Sequence, residues 1–437
     1  MTTTSEPLVF GPADPRSVEQ LRNCQQASGE LAEGVLCADH HLGYSMPIGG
    51  VMALREKIMP AGVGFDIACG NCAVRTDMPA SALDAGAAMD EIARTLSFGV
   101  GRRNSEPVDH PVLDEIARAN FERQRGMARL AADQLGTIGG GNHYVDLFVD
   151  DAGWVWVGVH FGSRGFGHKT AAGFLNLMRN RRWADTPSEP ERPGFMELGT
   201  DLGQAYVEAM ELAGRYAYAG REWVVARVLQ ILGAGETDRV HNHHNFAWRE
   251  EHGGETLWVV RKGATPAWPG QRGFVGGSMG DDAVIVVGKE SARSKAALYS
   301  TVHGAGRVMS RSAAAGPFVK PWRCLDYRNC GGRLPPKTPK QTNGGSPRCP
   351  RCGGKMKRSR SRERDTSRAR IDWNATLAAL REKRIELRGG AADEAPGAYK
   401  RLDDVLGFHG DTIEIQHRLH PIGVAMAGPD EFDPYKD

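Results

Sequence analysis

Trp154-Val155-Trp156-Val157-Gly158-Val159-His160 is a run of strand-forming residues that ends in a histidine. The next residues, Phe161-Gly162-Ser163-Arg164-Gly165-Phe166-Gly167-His168, form a glycine-rich and basic segment. Tryptophan and valine favour β-strands, whereas closely spaced glycine and serine favour loops. A histidine where a strand meets such a loop is more typical of a binding site than of a packed core. His160 is therefore a candidate metal ligand, while an ordinary structural role is favoured for His168.

Hydrophobic periodicity predicts further strands and helices along the chain. Strands are predicted over residues 144–149, 256–261 and 283–287, and the alternation of Val63, Phe65 and Ile67 predicts a short strand over 63–67. Amphipathic helices are predicted over 82–96, 112–135, 201–232 and 371–387. Strands and helices interspersed in this way predict a mixed α/β fold, of the α+β class.

The overall composition is that of a globular protein. The chain has 437 residues, of which 41% are apolar and 25% charged, and its formal net charge is +2. This small net charge excludes a strong attraction of the whole molecule to nucleic acid, although the basic residues are unevenly distributed. No apolar run is long enough to span a bilayer, and the first residues lack the features of a signal peptide. We expect a cytoplasmic protein without a membrane segment.

A carboxylate and a thiol lie three residues apart in Gly64-Phe65-Asp66-Ile67-Ala68-Cys69-Gly70. Asp66 and Cys69 could reach one cation or bridge two, although on spacing alone a structural role fits equally well. Cys69 and Cys72 also form a Cys-x-x-Cys pair, but no thioredoxin-like βαβ pattern surrounds it to favour a redox site. Clustered cysteines in a cytosolic chain indicate metal sites more than disulfides.

Three more segments contain histidines in glycine-rich or clustered settings. His143 follows the glycines of Gly139-Gly140-Gly141-Asn142-His143, where a phosphate or nucleotide could approach the backbone closely. His241-Asn242-His243-His244 places three histidines in four residues, which indicates a site, with an idle surface cluster as the alternative. Asp39-His40-His41 lies in a loop-like setting, where a solvated polar turn fits as well as a site.

The segment Val302-His303-Gly304-Ala305-Gly306-Arg307-Val308-Met309-Ser310-Arg311 combines a histidine, small residues and two arginines. Small residues let a backbone approach a ligand closely, and guanidinium groups bind phosphate well. Gly276-Gly277-Ser278-Met279-Gly280 is a second loop of the kind that cradles phosphate, which is a weak signal by itself. We predict a phosphate-binding site around His303.

Residues 317–370 are rich in lysine and arginine and contain only Asp326, Glu363 and Asp365 as acids. Cys324/Cys330 and Cys349/Cys352 form two pairs separated by 18 residues. The second pair resembles a zinc-ribbon knuckle, so a structural zinc site of all four cysteines is predicted, with disulfides or idle thiols as alternatives. The segment 359–368 is predicted to be flexible. Such a basic module could bind RNA backbone without reading sequence, with a solvated linker as the alternative.

Taken together, seven short motifs resemble those of the RtcB family of RNA-splicing ligases and occur in the family's order. They are Gly64-Phe65-Asp66-Ile67-Ala68-Cys69-Gly70, Gly141-Asn142-His143-Tyr144, His160-Phe161-Gly162-Ser163-Arg164-Gly165, His244-Asn245, Arg261-Lys262-Gly263-Ala264-Thr265, Gly277-Ser278-Met279-Gly280 and His303-Gly304-Ala305-Gly306-Arg307. The resemblance covers roughly residues 36 to 311 and resumes at Glu394-Ala395-Pro396-Gly397-Ala398-Tyr399-Lys400.

The resemblance implies a ligase that joins RNA 3′-phosphate or 2′,3′-cyclic phosphate ends to 5′-hydroxyl ends, with GTP and two Mn²⁺ ions. It implies that Asp66, His143 and His160 bind one ion, that His244 completes the second, and that Cys69 bridges both. It also implies that His303 attacks GTP and carries GMP, with Arg164, Arg307 and Arg311 as catalytic phosphate contacts. The implied nucleotide-binding residues are Asn142, Asp146, Asn245, Gly277, Ser278, Met279, His303, Gly304, Ala305, Gly306 and Tyr399. Mixed carboxylate, imidazole and thiolate ligands suit a first-row transition metal better than Mg²⁺.

Three positions depart from the family pattern on the side that would bind the base. Asp146 stands where a glutamate usually accepts from guanine, Met426 where a lysine usually contacts the nucleotide, and Ala283 where a serine is usual. Tyr399 is retained where the family stacks an aromatic ring on the base. Because the metal and nucleophile positions are unchanged, nucleotidyl transfer is expected, whereas guanine preference and final sealing stay open.

We expect one large catalytic domain, residues 1–316 and 371–437 with an acidic tail, interrupted by a basic zinc-ribbon-like insert over 317–370. The expected function is RNA ligation in RNA repair or tRNA splicing, with two Mn²⁺ ions, GTP and a structural Zn²⁺. Two alternatives stay open. One is a nucleotidyltransferase that caps or activates 3′-phosphate ends of RNA or DNA without sealing, and the other is a non-catalytic RNA-binding homologue.

Overall fold

The computed structural model of the protein describes residues 6–30, 32–186, 193–335, 337–341, 345–360, 362–429 and 431. Its strands are β1 (Leu8–Val9), β2 (Gly34–His41), β3 (Ile48–Leu54), β4 (Lys57–Ile58), β5 (Gly70–Pro79), β6 (Tyr144–Asp150), β7 (Trp154–Phe161), β8 (Met196–Glu197), β9 (Glu236–His243), β10 (Asn245–His252), β11 (Glu255–Lys262), β12 (Ala264–Pro266), β13 (Arg272–Val275), β14 (Ala283–Gly288), β15 (Ser300–Val302), β16 (Phe318–Val319), β17 (Trp322–Cys324), β18 (Arg333–Leu334), β19 (Met356–Arg358), β20 (Glu363–Arg364), β21 (Glu386–Arg388) and β22 (Ile413–Met426). Its helices are α1 (Pro15–Ser28), α2 (Pro60–Val63), α3 (Ala85–Thr95), α4 (Pro111–Ala117), α5 (Glu122–Arg125), α6 (Ala128–Gln134), α7 (Arg164–Leu177), α8 (Asp201–Leu232), α9 (Ala292–Ala296), α10 (Arg311–Ala315), α11 (Tyr327–Cys330), α12 (Trp373–Glu382) and α13 (Leu402–Gly407). Short 3₁₀ turns cover Ala80–Ala82, Thr366–Arg368, Ala392–Glu394 and Pro396–Ala398.

The tryptophan and valine run at 154–161 forms β7, an inner strand of an eight-stranded sheet. Seven of the strands lie in the order β13-β14-β22-β6-β7-β5-β9, each pair antiparallel, and β21 pairs in parallel with β22. β22 follows residues 317–370 in the chain, whereas β5, β6 and β7 precede them. One sheet therefore joins the parts of the chain on both sides of the basic segment.

A second sheet of five strands, in the order β1-β2-β3-β11-β10, packs beside the first. Val35, Val51 and Val259 of this sheet share one buried cluster with Val284 and Val286 of β14. Apolar side chains of both sheets therefore exclude water from a common core. The chain crosses from the large sheet to the small one between β9 and β10, at His244.

Helix α8 packs on β5 and β7 of the large sheet. Thr200 caps its start, because the Thr200 hydroxyl accepts a hydrogen bond from the N–H of Gly203 at 3.1 Å. Gly233 ends the helix in the left-handed conformation, with φ of 65°. Buried valines of the helix share a core cluster with valines of β7. The predicted helix over 201–232 is confirmed.

The predicted mixed α/β fold is confirmed, and several predicted elements agree with the structure within a few residues. The strands predicted over 144–149, 256–261 and 283–287 correspond to β6, β11 and β14, and the helix predicted over 82–96 corresponds to α3. These segments have clear hydrophobic periodicity, which is where sequence patterns are most reliable.

The strand predicted over 63–67 is wrong. Pro60–Val63 form the helical turn α2, which a proline at the first helical position favours. The chain then turns sharply, with Ala68 at φ of 54°. Val63 and Ile67 are both buried in this turn, so the alternating apolar residues reach the core without forming a strand. Asp66 and Cys69 consequently lie in the turn that precedes β5.

Two predicted helices are shorter or more broken than expected. The helix predicted over 112–135 is divided into α4, α5 and α6, and Gly126, a weak helix former, follows α5. Of the helix predicted over 371–387, only the part that forms α12 is helical. Arg384, at φ of 57°, turns the chain so that residues 386–388 form β21 on the edge of β22. At residues 386–388, pairing with β22 therefore outweighs the local helical pattern of the sequence.

Two segments predicted as loops contain regular structure. Asp39 and His40 lie in β2, and both side chains are buried rather than solvated. Helix α7 begins at Arg164, so His168 lies within the helix, and its ring stacks on Phe65 with centroids 5.2 Å apart. Glycine content thus predicted loops where packing stabilises a strand and a helix.

The basic segment 317–370, called the insert from here on, folds around the three strands β18-β17-β19. β16 and β20 pair near its two ends, and the N–H of Asp365 donates to the carbonyl of Pro317 at 2.9 Å. The insert therefore leaves and rejoins the rest of the chain at neighbouring points. Residues 359–368, predicted to be flexible, include β20. Ser361 and the acidic tail after Glu431 lie outside the described residues.

Across the described ranges, every helix is too short or too polar to cross a lipid bilayer.

Candidate functional site

The antiparallel registers of the large sheet bring several strand ends to one edge. Tyr144, at the start of β6, pairs with His160 near the end of β7 and with Met426 at the end of β22. Gly70, at the start of β5, pairs with His243 at the end of β9. Side chains at these ends and in the turns beside them therefore lie close together.

A cleft of about 1240 Å³ opens at this edge of the sheet. All the predicted metal ligands and nucleotide-binding residues line it, as do three of the four predicted catalytic residues. The lining includes Asp66, Cys69, His143, His160 and His244, then Asn142, Asp146, Asn245, Gly277, Ser278, Met279, Gly304, Ala305, Gly306 and Tyr399, and finally His303, Arg307 and Arg311. Arg164 is the predicted residue that does not line the cleft.

Sulfur, nitrogen and oxygen atoms converge at the floor of the cleft. The Sγ atom of Cys69 lies 3.6 Å from Nε2 of His143 and 3.7 Å from Nε2 of His160. Oδ2 of Asp66 lies 3.1 Å from the same Nε2 of His143. Thiolate, imidazole and carboxylate donors at this spacing can share a divalent transition-metal ion.

Hydrogen bonds fix the tautomers of two of these histidines. Nδ1 of His143 donates to the carbonyl of Ile138 at 3.0 Å, and Nδ1 of His160 donates to Oδ1 of Asn71 at 2.7 Å. The amide of Asn71 is itself oriented, because its Nδ2 donates to the carbonyl of Phe274 at 3.0 Å. Because Nδ1 is engaged in this way, Nε2 is the nitrogen that faces the cleft on each ring and the one that can bind a metal ion.

His244 lies between His303 and the group formed by Cys69, His143 and His160. Its ring stacks on that of His160 with centroids 5.3 Å apart, and its centroid lies 4.8 Å from that of His303. Within the described ranges, the buried Nδ1 of His244 has no hydrogen-bond partner. A buried nitrogen without a partner is costly, and a bound metal ion would satisfy it. Burial also lowers the pKa of His244 well below its ordinary value, which keeps the ring neutral.

The charge states of Asp66 and Cys69 differ. Burial opposes ionisation of Asp66, but hydrogen bonding and charge from His143 outweigh it and lower the pKa of this carboxyl to about 2. Burial, with the neighbouring charge of Asp66, raises the pKa of the Cys69 thiol well above its ordinary value. Cys69 therefore needs an adjacent cation in order to become a thiolate.

His303 is oriented by a buried carboxylate. Its Nδ1 lies 2.6 Å from Oδ2 of Asp39, and the same oxygen accepts a hydrogen bond from the backbone N–H of His303 at 3.0 Å. Burial favours the neutral acid, but the charge and hydrogen bonds of His303 hold the pKa of Asp39 below its ordinary value. Nδ1 therefore carries a proton that points at Asp39, and Nε2 of His303 keeps its lone pair.

The backbone after His303 is pressed against β2. Gly306, with φ of 75°, lies so close to the carbonyl of Asp39 that a Cβ atom would clash with it. Gly304 forms a bridge to Gly276, which brings the two glycine-rich loops together. The two loops form a small-residue wall that a ligand can approach closely.

Arg307 and Arg311 line the cleft and are held from behind by acidic residues. Arg307 donates to the Tyr399 hydroxyl at 2.9 Å and to the carbonyl of Asp393 at 2.7 Å. Arg311 donates to Oδ2 of Asp393 at 3.3 Å and also contacts Glu394. Both carboxylates are buried. Ion pairs of this kind fix the guanidinium groups in place but neutralise part of their charge.

Arg164 lies behind His143 rather than in the cleft. It has φ of 53° at the start of α7, its Nε donates to the hydroxyl of Thr137 at 3.3 Å, and its Nη1 lies 3.4 Å from Nδ1 of His143. This position suits a residue that supports His143, a candidate metal ligand, from behind the cleft.

The side of the cleft around Asp146 is largely apolar. Met426 and Met279 share a cluster with Val424 and with the ring of Tyr144. Among the described residues, Oδ1 of Asp146 has no hydrogen-bond partner, and burial raises the pKa of this carboxyl well above its ordinary value. Within the part of the chain that the structure describes, burial and the backbone of Ala425 set the pKa of Asp146, and no charged side chain contributes to it.

The remaining predicted nucleotide-binding side chains have local partners. Nδ2 of Asn142 lies 3.4 Å from Nε2 of His160, and the Asn245 Oδ1 accepts from the N–H of Gly263 at 2.8 Å. The Ser278 hydroxyl donates to Asp281 at 2.8 Å. Ala283, in contrast, is buried within the sheet and does not line the cleft.

The four cysteines of the insert converge separately from the cleft. Cys324 and Cys352 have their sulfur atoms 3.6 Å apart, as do Cys330 and Cys349, and the four sulfurs lie within 4.8 Å of one another. All four are free thiols, which excludes the disulfide alternative here. Sulfurs bound tetrahedrally to zinc at about 2.3 Å lie about 3.8 Å apart, so this arrangement is compatible with a zinc-ribbon-like site.

Comparison with known proteins agrees with this geometry. The sequence profile described as tRNA-splicing ligase RtcB matches residues 20–129 and 115–322. The chain belongs to the RtcB family. It is 30% identical over 352 residues to the RNA-splicing ligase RtcB of Escherichia coli (strain K12), covering 73% of this chain and 85% of the relative. It is 28% identical over 486 residues to the tRNA-splicing ligase RtcB of Archaeoglobus fulgidus, covering 94% and 90% of the two chains.

The RtcB profile match ends at residue 322, before the first cysteine of the insert. The family therefore accounts for the cleft residues up to Arg311, and the four-cysteine cluster lies beyond the matched range. Asn71 and Asp393 support the cleft but were not singled out from the sequence, and for Asp39 the sequence left a site and a solvated turn equally open. Asp39 lies 264 positions from His303, so only tertiary structure reveals their hydrogen bond.

Proposed function

We propose that the protein is an RNA ligase that joins 3′-phosphate or 2′,3′-cyclic phosphate ends to 5′-hydroxyl ends, in tRNA splicing or RNA repair, through a GMP adduct of His303. Membership of the RtcB family supports RNA ligation, because the relatives are named RNA-splicing or tRNA-splicing ligases. The observation that carries the proposal is the 2.6 Å contact between Nδ1 of His303 and the buried carboxylate of Asp39.

This contact supports His303 as the nucleophile. With its proton held on Nδ1, the imidazole would attack the α-phosphorus of GTP through Nε2, forming a P–N bond as the P–O bond to pyrophosphate breaks. The ring gains positive charge in this step. The carboxylate of Asp39 would stabilise that charge and keep Nε2 aimed at the phosphorus, which makes Asp39 a positioning residue.

The later steps return His303 to its starting state. An oxygen of the RNA 3′-phosphate attacks the adduct phosphorus, the P–N bond breaks, and GMP becomes attached to the RNA end. The 5′-hydroxyl oxygen of the second RNA then attacks the 3′-phosphorus, GMP leaves, and the hydroxyl proton passes to solvent. A cyclic end is first opened by water. Arg307 and Arg311, held by Asp393 and Glu394, are suited to bind the phosphates.

Asp66, Cys69, His143, His160 and His244 would hold two Mn²⁺ ions. Three features support this set, namely the oriented Nε2 lone pairs of His143 and His160, the unpartnered Nδ1 of His244, and the mixture of donor types. When bound, such ions neutralise charge on the triphosphate and on the phosphorus under attack. The contribution of the chain is to hold the donor atoms in fixed positions.

The proposed organisation has a catalytic domain, residues 1–316 and 371–437, and an insert, 317–370, held by a structural Zn²⁺ on Cys324, Cys330, Cys349 and Cys352. The sulfur spacing and the free thiols support zinc at this cluster. β22 supports the division, because this strand from the C-terminal part pairs with β6 and β14 of the N-terminal part.

Covalent labelling tests the proposal. The protein with Mn²⁺ is incubated with each of the four nucleoside triphosphates carrying α-³²P, and the labelled protein is resolved by denaturing electrophoresis. We expect acid-labile label from GTP on the wild-type chain and none on His303→Ala. His168→Ala, a histidine outside the cleft, is the control and should label normally. Absence of label from every nucleotide on folded, Mn²⁺-loaded protein would contradict the proposal and favour a non-catalytic RNA-binding protein.

A second candidate function shares the labelling step but stops at a capped 3′ end. The environment of Asp146 favours it, because a buried carboxyl beside Met426 lacks the cation that the family usually places there. A 3′-phosphate oligonucleotide is incubated with and without a 5′-hydroxyl partner and analysed on a gel. Joined product supports the ligase, whereas a capped product that never seals supports the nucleotidyltransferase.

A further inference from the structure

The insert contains an unusual surplus of positive charge. It has sixteen Lys or Arg residues against three acids, although the whole chain has a net charge of only +2. Fourteen of the sixteen are exposed, namely Lys320, Arg328, Arg333, Lys337, Lys340, Arg348, Arg351, Lys355, Lys357, Arg358, Arg360, Arg362, Arg368 and Arg370. Within the described ranges, Arg333 is the one member of this set that forms an ion pair. Most of this charge is therefore available to an external anion.

Part of the charge is arranged in a row across the small sheet. Arg323 of β17 is the register partner of both Arg333 of β18 and Lys357 of β19. Directly opposed residues on neighbouring strands point to the same face, so three cationic side chains lie side by side. Glu363 contacts both arginines and offsets part of their repulsion. The row keeps a net positive charge, an arrangement that a bound polyanion would stabilise.

The insert is an ordered platform rather than a solvated linker. On the opposite face of the sheet, Trp322 and Met356 form a small buried core together with Cys324 and Cys349. Cation–π contact places the Arg358 guanidinium 4.4 Å from the centroid of the Trp322 ring. The four clustered sulfurs would add a zinc staple to this core. Charges on a fixed surface lose less entropy when they bind a phosphate chain than charges on a flexible tail.

The base of the insert is attached to the wall of the cleft. Nη2 of Arg364 in β20 lies 3.4 Å from Oδ2 of Asp393, and the same oxygen accepts from Nη1 of Arg311 at 3.3 Å. Arg311 lines the cleft. One buried carboxylate thus links the insert to an arginine of the proposed active site, and five residues separate Arg311 from the first residue of the insert.

We propose that the insert binds the phosphate backbone of an RNA strand whose end occupies the cleft, without reading its bases. The proposal rests on the proposed function, because it assumes that the cleft receives an RNA end. Exposed, unpaired Lys and Arg side chains suit phosphates, whose contacts carry no base information. The insert would therefore add phosphate contacts outside the cleft. A long RNA would bind more tightly through these contacts, whereas a short oligonucleotide would not reach them.

A matched pair of triple variants tests this. The test variant is Lys355→Gln, Lys357→Gln, Arg360→Gln in the insert. The control variant is Arg123→Gln, Arg129→Gln, Arg249→Gln, which removes the same charge from exposed positions outside the insert and the cleft. Both keep Glu363, the cysteines and the cleft intact. Affinity for a single-stranded 3′-phosphate RNA of roughly 25 nucleotides, and for one of roughly 4, is measured by fluorescence anisotropy at several salt concentrations.

For the long RNA, we expect the test variant to lose at least about tenfold in affinity at low salt, with a salt slope shallower by about 2, since each lost single-strand contact removes about 0.7. The control variant should match wild type. Both variants should bind and seal the short RNA like wild type. Equal salt slopes for the two variants on long RNA, with normal sealing of short RNA, would overturn the role of the insert and leave the proposed function standing. Failure of wild type to label His303 or to seal short RNA would instead overturn the proposed function.

The proposal can also be tested on the wild-type chain alone, so that the result does not depend on whether the variants fold. Lysines are acetylated with a water-soluble reagent in the presence of the long RNA, the short RNA or neither, and modification is read by mass spectrometry. Protection of Lys337, Lys340, Lys355 and Lys357 by long RNA but not by short RNA is expected, with Lys169 of α7 as the unprotected reference. Equal modification of the insert lysines in all three samples would contradict the proposal.

Discussion

Asp39 and His303 form a pair in which one carboxylate oxygen, Oδ2, receives both the ring Nδ1–H and the backbone N–H of the histidine, at 2.6 and 3.0 Å. The carboxylate is fully buried at the end of β2. Two hydrogen bonds to one oxygen fix both the rotamer and the tautomer of His303, so the nitrogen that we propose as the nucleophile, Nε2, is oriented before any substrate binds.

Replacement of Asp39 should slow covalent labelling without removing the nucleophile. Asp39→Asn removes the charge that stabilises the imidazolium and can present an amide N–H to Nδ1, which favours the wrong tautomer. We expect the rate of labelling with GTP to fall by about 10²- to 10⁴-fold, by analogy with loss of a carboxylate that orients a catalytic histidine. Manganese affinity, measured by isothermal titration calorimetry, should stay within about twofold of wild type, because the carboxylate contacts no proposed metal ligand.

Asp14→Asn is a suitable comparison, since this carboxylate caps α1 at the cleft and does not contact His303. Equal labelling rates for Asp39→Asn and wild type would contradict the role of Asp39 as a positioning residue.

Loss of the hydrogen bond from His160 to Asn71 should weaken metal binding selectively. Asn71 and Asn242 are register partners on β5 and β9, and both hydrogen-bond the backbone of Phe274. Only Asn71 accepts from Nδ1 of His160. Asn71→Ala is expected to lower Mn²⁺ affinity by about 10- to 100-fold, whereas Asn242→Ala should leave it near the wild-type value. Titration calorimetry on both variants checks this, and an equal loss of affinity would point to a general structural effect.

The sequence was most informative where chemistry and periodicity coincide. β7 and α8 could be predicted because their hydrophobic patterns are long and uninterrupted, and His160 was a candidate because it ends such a strand. The metal and nucleotide residues were inferred from the family motifs, and the sheet registers explain why residues as distant as Asp66 and Tyr399 line one cleft.

Other parts of the site depend on contacts that no local pattern contains. The segment 63–67 resembles a strand because large apolar residues alternate in its sequence. β2 resembles a loop because its polar residues are buried against partners far away in the chain. Asp39, Asn71 and Asp393 act through hydrogen bonds to residues 82 to 264 positions distant. Long-range pairing of this kind is determined by topology and cannot be read from spacing.

The insert should contain zinc that depends on its cysteines. The purified protein is expected to hold about one Zn²⁺ ion per chain, from the four-sulfur cluster. The double variant Cys330→Ser, Cys349→Ser should lose this zinc, as measured by mass spectrometry of the metal content. Cys72→Ser, at a buried cysteine of β5 outside the cluster, should retain it. Zinc retained by the double variant at the wild-type level would exclude this cluster as the site.

Two aspartates of β6, Asp146 and Asp150, should make the stability of the folded protein depend on pH in opposite directions. Burial raises the pKa of Asp146 well above its ordinary value. The unfolded chain therefore releases this proton at lower pH than the folded chain does, so the wild-type protein loses stability as pH rises above the unfolded pKa. The pKa of Asp150 is shifted in the opposite direction, because hydrogen bonds from Trp156 and Trp154 lower it by more than burial raises it. Its contribution is present at neutral pH and is lost as pH falls through the folded pKa.

Asp146→Asn should consequently raise the melting temperature near neutral pH, because it removes the group that destabilises the wild-type protein there. At a pH above both pKa values of Asp146, each unit by which the folded pKa exceeds the unfolded pKa lowers the stability of the wild-type protein by about 1.4 kcal/mol. The gain should shrink as the pH falls through about 4 towards 3, where Asp146 becomes protonated in the unfolded chain as well as in the folded one. Asp150→Asn should instead lower stability near neutral pH by about 1–3 kcal/mol, because the Trp156 indole N–H loses a charged acceptor. Differential scanning fluorimetry of metal-free protein across this pH range checks both variants. A fall in melting temperature for Asp146→Asn at neutral pH would mean that Asp146 is ionised in the folded protein.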